Sequence, residues 1–284
     1  MTYIAFFDVD GTLCTSSGEV LPSTVEAIQA FRNEGNLAYI CTGRSKPEII
    51  ESILAIGFDG IIGAGGGYVT IGEDVLIHQT MPKPMVLDMI AYFDQHDIGY
   101  YLESNDGLFA SENCERKISE AIRKIAKETK VAEEPLLEKM TWFVELVKQF
   151  DEIPIDYGNV NKISFINNTV PFLEIERRYG EEFHMYQSTV ALFGPESGEI
   201  AVRGVNKQTA IEFVLETLNL DKTQALAFGD GDNDLAMFAA VGYTVAMDNA
   251  TDRLKKAANE VTADADEDGI AKSMAKKLWI KKEA

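Results

Sequence analysis

The chain has 284 residues, enough to bury a substantial core and to form two domains. Its 26 Lys and Arg against 46 Asp and Glu leave a formal net charge of −20, which argues against a nucleic-acid or anionic-membrane surface but not against a small phosphorylated ligand met by local cations. Three cysteines (Cys14, Cys41, Cys114) are too few and scattered for a disulfide framework or a zinc site, no apolar run approaches a membrane span, and Met1-Thr2-Tyr3 runs straight into a strand without a cleavable signal, so a cytoplasmic protein is expected.

Tyr3 to Phe7 is an apolar run suited to a strand covered on both faces, and it ends abruptly in Asp8, Asp10 and Gly11. In open parallel sheets the ligand crevice lies at the carboxyl ends of the strands, where these acids would emerge. Two acids so close repel each other, and a bound cation is the usual way to hold both ionised. The plainer alternative is a strand followed by an Asp-Gly turn. Cys14 to Val20 reads as a small polar loop. Ser23-Thr24-Val25-Glu26 has the form of a capping box, with Val25, Ile28 and Phe31 on one helix face and Gly35 at the end. Leu37 to Cys41 is the next strand and leads into Thr42-Gly43-Arg44. A second capping box, Ser45-Lys46-Pro47-Glu48, opens another helix with Gly57 beyond it, and Ile61-Ile62-Gly63 is a third strand. This alternation implies right-handed βαβ units and a parallel sheet. Gly63-Ala64-Gly65-Gly66-Gly67 lacks the spacing of a dinucleotide fingerprint, because Tyr68 takes the last glycine position and a hairpin-like segment follows.

Met81-Pro82-Lys83-Pro84 marks a boundary. Helical periodicity then runs through Val86, Ile90 and Phe93. Ile98 to Glu103 and Leu108 to Ser111, joined by Asn105-Asp106-Gly107, form a β-hairpin. Ser111 to Lys130 is an amphipathic helix with Ile118, Ile122 and Ile125 inward. Lys162 to Ile166 is a strand, Pro171 to Tyr179 a helix and Phe183 to Gln187 another strand. The chain is expected back in the first domain near Thr189, with Ala191-Leu192-Phe193 and Glu199 to Val202 flanking a turn there. Asn206 caps a helix from Lys207 to Leu218, and Ala225 to Phe228 is a strand ending in Gly229-Asp230. Asp234 to Ala240 is a helix, Tyr243 to Met247 a strand and Asp252 to Ala258 a helix. Lys276-Lys277 and Lys281-Lys282 belong to the solvated end of a last helix.

Asp8-Val9-Asp10-Gly11-Thr12-Leu13 resembles the first motif of the haloacid dehalogenase superfamily of phosphohydrolases, and Cys41-Thr42-Gly43-Arg44 its second. Lys207 stands where the third would be, and Gly229-Asp230-Gly231-Asp232-Asn233-Asp234 is similar to the fourth. Order and spacing resemble the Cof-type branch, although the Asn-Gly pair many of its members carry is absent at the Gly63–Gly67 loop. The resemblance implies an α/β fold: a Rossmann-like, doubly wound parallel-sheet core (residues 1–82 and 189–284) with an inserted α+β cap domain (residues 83–188).

Phosphate ester hydrolysis needs an in-line nucleophile, charge neutralisation on the transferring oxygens and a proton for the leaving group. Asp8 can be the nucleophile through an aspartyl-phosphate. Asp10 is placed to protonate the leaving oxygen and then to deprotonate water, and must carry a proton at the first step. The resemblance implies that Mg²⁺ is held by Asp8, by Asp10 through its backbone carbonyl, and by Asp230, in the all-oxygen setting that ion favours. None of the 3 histidines lies in these segments, which argues against zinc. Thr42 and Gly43 would offer a hydroxyl and an N–H to the phosphoryl oxygens, Lys207 a fixed cation and Asn233 a further donor. Asp234 would hold a metal-bound water or orient Lys207. Asp232 is expected to face solvent, and Arg44 to make either a structural ion pair or a contact near phosphate. The expected activity is that of a Mg²⁺-dependent phosphatase, monomer or weak homodimer, acting on a small phosphorylated metabolite such as a sugar phosphate. A phosphomutase and a phospho-accepting switch module are the alternatives. The cap is expected to select the leaving group, with Asn105-Asp106-Gly107 and Tyr157 to Ser164 as candidate contacts.

Overall fold

The computed structural model describes residues 1–188 and 190–277, so Thr189 and Lys281-Lys282 lie outside the described residues. The chain divides into two compact units, one formed by residues 1–44, 49–78 and 204 onward, the other by 45–48 and 79–203.

In the first unit, β1 (Ile4–Phe7) is buried along its whole length. Ala5 and Phe7 enter one apolar cluster while Ile4 and Phe6 enter another on the opposite face, which is why the run is apolar without alternation. α1 (Pro22–Asn33) leads to β2 (Leu37–Cys41), and the short α2 (Glu51–Leu54) leads to β3 (Gly60–Gly63). Neither expected capping box opens its helix. Leu21 holds the cap position of α1 without a side-chain bond, and Pro22 sets the first turn instead. At Ser45 both the backbone N–H and the hydroxyl donate to Glu48 Oε2, at 2.8 and 2.7 Å. That closes a single 3-10 turn at Lys46–Glu48, and the helix begins at Glu51. β4 (Tyr68–Ile71) and β5 (Asp74–His78) add an antiparallel hairpin to the edge.

The second unit follows. α3 (Lys83–Gln95), β6 (Gly99–Ser104), β7 (Gly107–Ala110), α4 (Cys114–Thr129), α5 (Glu133–Glu138), α6 (Thr141–Lys148), β8 (Val160–Ile166), α7 (Phe172–Tyr179), β9 (Phe183–Gln187) and β10 (Gly198–Val202) succeed one another. The strands form an antiparallel sheet in the order β7-β6-β8-β10-β9. Val86 and Phe93 of α3 pack with Ile175 of α7 against Leu102 and Ile163. Ile118 and Ile122 of α4 pack with Phe143 of α6 against Tyr101 and Ile166. α5 and α6 were not expected from the sequence. The stretch expected to flank a turn in the first domain is instead β10, paired with β8 and β9, and the first unit resumes at Gly204. Ile200 explains this, since it lies fully buried in the cluster of α3 and α7.

Back in the first unit, α8 (Lys207–Thr217) precedes β11 (Ala225–Gly229), α9 (Leu235–Ala240), β12 (Tyr243–Ala246), α10 (Asp252–Ala257), β13 (Glu260–Val261) and α11 (Gly269–Lys276). The eight strands run β13-β12-β11-β1-β2-β3-β4-β5, parallel from β13 to β3. Ile28 and Phe31 of α1 with Ile270 and Met274 of α11 cover one face, and Ile211 and Val214 of α8 with Met237 and Phe238 of α9 cover the other. This is the doubly wound α/β core. Among the described residues no helix is long and apolar enough to cross a membrane.

Candidate active site

Two neighbouring parallel strands of the first unit run into acids at the same end. The Asp8 N–H donates to the Phe228 carbonyl at 3.0 Å and so extends the pairing of β1 with β11. Asp230 lies directly after β11. Lys207 arrives from a third element, because Asn206 caps α8 through a hydrogen bond from the Thr209 N–H at 2.9 Å, with Thr209 Oγ1 accepting from the Asn206 N–H in return. The buried Lys207 Nζ donates to Asp8 Oδ1 at 2.7 Å and to Asp234 Oδ1 at 2.6 Å.

Asp234 is fully engaged. Its other oxygen accepts from the backbone N–H groups of Asp230 and Gly231, at 3.0 and 3.1 Å. It thereby holds both the lysine and the loop that carries Asp230. The Thr12 hydroxyl donates to Asp230 Oδ1 at 3.0 Å. Carboxylate oxygens of Asp8, Asp230 and Asp234 lie within 4.8 Å of one another. Asp8 Oδ2 and Asp230 Oδ2 accept no hydrogen bond among the described residues. Gly11 passes beside this cluster with φ at +73°, and a Cβ there would fall 2.5 Å from Asp230 Oδ2. Glycine is therefore required twice over, by conformation and by space.

Three carboxylates surround one ammonium, and the electrostatics follow. Burial pushes the Asp8 carboxyl up to about 8, with Asp234 adding to the rise and Lys207 opposing it. Burial also raises Asp230, to about 6, again with help from Asp234. Burial works against the Lys207 ammonium, but Asp234 and Asp8 outweigh it and hold it above the ordinary lysine value. A hard divalent cation suits such an excess of carboxylate oxygen.

Asp10 is arranged differently. Its side chain is 66% exposed and receives a bidentate pair from Arg44, Nε to Oδ2 at 2.9 Å and Nη2 to Oδ1 at 2.6 Å. Arg44 thus makes an ion pair with Asp10. Thr42 follows β2, the other neighbour of β1, and its buried hydroxyl accepts from the Arg44 N–H at 3.1 Å. Gly43 has open space where a Cβ would stand. Asn233 is exposed. Asp232, expected simply to face solvent, is half exposed but also accepts from the Thr251 hydroxyl at 2.6 Å. The sequence did not single out Thr12, nor Asn249, whose amide donates to the Gly11 carbonyl at 2.8 Å. Thr12 lies inside the first acidic segment, which was the available signal.

The family described as haloacid dehalogenase-like hydrolase matches residues 5–274 of the chain. Phosphatase YwpJ of Bacillus subtilis (strain 168) is 23% identical over 280 residues, covering 94% of this chain and 96% of that protein. The 5-amino-6-(5-phospho-D-ribitylamino)uracil phosphatase YwtE of the same organism is 27% identical over 273 residues, covering 93% and 94%. Among solved structures, a hypothetical protein from Geobacillus kaustophilus HTA426 superposes with a TM-score of 0.79 at 24% identity, covering 99% of this chain and 100% of that one. At that identity the likeness is one of fold.

Proposed function

The chain belongs to the haloacid dehalogenase-like hydrolases, and from that premise we propose that it is a Mg²⁺-dependent phosphatase of a small phosphorylated metabolite, a sugar phosphate or similar monoester, working through an aspartyl-phosphate on Asp8. The observation that carries this reading is the buried Asp8–Lys207–Asp234 array beside Asp230. The relatives YwpJ and YwtE, both named as phosphatases, support the reaction class.

The donor set fits the ion, since Asp8 and Asp230 each keep one carboxylate oxygen without a protein partner and every candidate ligand is oxygen. Those two side chains and the Asp10 carbonyl would hold it. Bound there, Mg²⁺ supplies positive charge to the transferring oxygens and favours the ionised form of Asp8. Asp8 attacks phosphorus and releases the leaving oxygen. Lys207, held in place by Asp234, stabilises charge near the reacting carboxylate without needing to reorganise. Thr42, Gly43 and Asn233 would donate to the phosphoryl oxygens. Asp10 would pass a proton to the leaving oxygen and then take one from the attacking water, and to do so it must part from Arg44.

All of these residues lie outside the second unit, so we assign recognition of the leaving group to that unit, as a cap. Purified protein with Mg²⁺ should turn over some members of a panel of phosphorylated metabolites. Asp8→Asn should lower kcat by more than about 10³-fold, and acid-quenched wild-type protein should carry phosphate on the peptide containing Asp8. Wild-type activity of Asp8→Asn on an aryl phosphate would refute the covalent route.

A further inference from the structure

The segment after β12 holds both acid-bearing loops, and every residue involved belongs to the first unit. The loop that follows β1 turns back on itself, with the Cys14 N–H donating to the Val9 carbonyl at 2.9 Å and the Leu13 N–H to the Asp8 carbonyl at 3.3 Å. At its tip the Gly11 carbonyl receives no backbone N–H among the described residues. Its donor is Asn249 Nδ2, at 2.8 Å and 238 residues along the chain. In the loop that follows β11, the Asp230 carbonyl accepts from the Thr251 N–H at 2.9 Å and the Asp232 carboxylate from the Thr251 hydroxyl at 2.6 Å. Asn249 and Thr251 thus each hold one of the two loops, with only Ala250 between them.

That stretch is itself anchored. Met247 is buried in the cluster of α1 and α11, and Ala250 in that of α8 and α9 on the opposite face. Thr251 caps α10 by accepting from the Leu254 N–H at 3.2 Å, and Asn249 Oδ1 accepts from the Ala265 N–H at 3.3 Å. These partners fix the orientation of the Asn249 amide, because a carbonyl only accepts and a peptide N–H only donates. Asn249 is exposed, so its two long-range bonds rather than burial are its contribution. A Cβ on Gly11 would fall 2.5 Å from Asp230 Oδ2 and 3.0 Å from Asn249 Nδ2, so the two loops and the amide meet at one point. Charge acts against this meeting, since Asp8 and Asp230 repel each other. A neutral amide restrains the loops without adding to that charge. Mg²⁺ demands near-ideal octahedral geometry at about 2.0–2.1 Å, whereas Ca²⁺ tolerates flexible geometry at about 2.3–2.6 Å. A slightly displaced loop therefore spoils the site for the smaller ion first.

We propose that Asn249 is a positioning residue that holds the Gly11 loop at the distance from Asp230 which Mg²⁺ requires, and so sets the preference of the site for Mg²⁺ over Ca²⁺. This rests on the reading of Asp8, Asp230 and the Asp10 carbonyl as the cation ligands. The test is isothermal titration calorimetry of the purified protein with Mg²⁺ and, separately, with Ca²⁺, for wild type, Asn249→Ala and Asn249→Asp. Circular dichroism reports folding, and the isosteric Asn249→Asp carries the comparison alone should Asn249→Ala unfold. Asn249→Asp keeps an acceptor for the Ala265 N–H but cannot donate to Gly11. Its added charge attracts both divalent ions alike, so the ratio of the two affinities cancels it. The affinity for Mg²⁺ relative to Ca²⁺ should fall by about tenfold or more in both variants, the usual size for groups that orient metal ligands. A ratio within about threefold of wild type in every folded variant overturns the proposal, whether neither affinity moves or both fall together as a general loosening would make them. If wild-type protein binds neither ion, the cation reading itself fails and takes this inference with it.

Discussion

Replacing Lys207 by methionine removes the one ammonium between two buried carboxylates and leaves the shape of the side chain nearly intact. Asp8 and Asp234 lose contacts of 2.7 and 2.6 Å, with side chains only 7% and 0% exposed. Asp234 keeps its two backbone donors from Asp230 and Gly231, so the larger share of the strain falls on Asp8. Removing one partner of a buried ionic cluster costs about 3–5 kcal/mol, and the similar volume of methionine keeps any cavity contribution small. At about 2–4 °C per kcal/mol for a large domain, that corresponds to a Tm lower by about 6–20 °C. The penalty must depend on pH. A carboxyl whose folded-state pKa is raised contributes stability below its unfolded value and loses it as pH rises through the folded value. Asp8 is already pushed up to about 8 with Lys207 opposing the rise, so the penalty of losing Lys207 should grow as pH rises through about 8 and be smaller at pH 6.5 than at pH 9. Urea unfolding in the presence of chelator, followed by circular dichroism at both pH values, measures this. A loss below about 1 kcal/mol, equal at pH 6.5 and 9, would show that Lys207 is not the counter-charge of the cluster.

Gly11→Ala should cost about 1–2 kcal/mol from its positive φ and push Asp230 aside, because the new Cβ meets Asp230 Oδ2 at 2.5 Å. Its Mg²⁺ requirement, titrated through turnover, should rise at least about tenfold, or 1.4 kcal/mol, and an unchanged requirement contradicts the placement of Asp230 at the ion. Chelation should stop turnover and Mg²⁺ should restore it better than Ca²⁺, whose looser coordination misplaces the attacking carboxylate; equal rates with the two ions count against the site. In the second unit, burial pushes Glu103 from 4.5 up to about 8, with Lys162 opposing. Wild-type protein should therefore lose stability relative to Glu103→Gln as pH rises from 4.5 to 8. A urea midpoint that moves the other way would show the Lys162 pair outweighing the burial.

The junctions where strands meet acids were legible because a buried parallel strand has a distinctive composition and its end a distinctive chemistry. Asp8 after Ile4–Phe7 and Asp230 after Ala225–Gly229 stand where the sequence puts them. Asn206 was legible for a local reason, as a cap needs only three neighbours. What the sequence hid was long-range. Gly198–Val202 reads as a strand anywhere, and only its pairing with β8 and β9 decides which sheet it joins. Ser23 to Glu26 has the letters of a capping box, yet Pro22 starts the helix one turn position earlier and the Ser23 hydroxyl turns to Asp268, 245 residues away. The bidentate pair of Arg44 with Asp10 likewise depends on the side-by-side placement of β1 and β2. Glu103 looked like an ordinary strand residue, because nothing local announces that a charged side chain will be fully buried.

The place of β1 in the sheet also has a consequence for biosynthesis. It is the first strand made, yet one of its two neighbours is β11, and Ile4 waits for Ala225. About 220 residues must be translated in between, which at roughly 5–20 residues per second takes about 10–45 s. During that interval β2 can pair with one edge of β1 and Tyr39 can reach Phe6, but the other edge has no partner and Ile4 and Phe6 lack the cover of α8 and α9. The second unit, with its own sheet and apolar clusters, can finish meanwhile. Ribosome-bound chains halted before β11 should therefore recruit holdase chaperones through the Tyr3–Phe7 segment, and release them once β11 clears the exit tunnel.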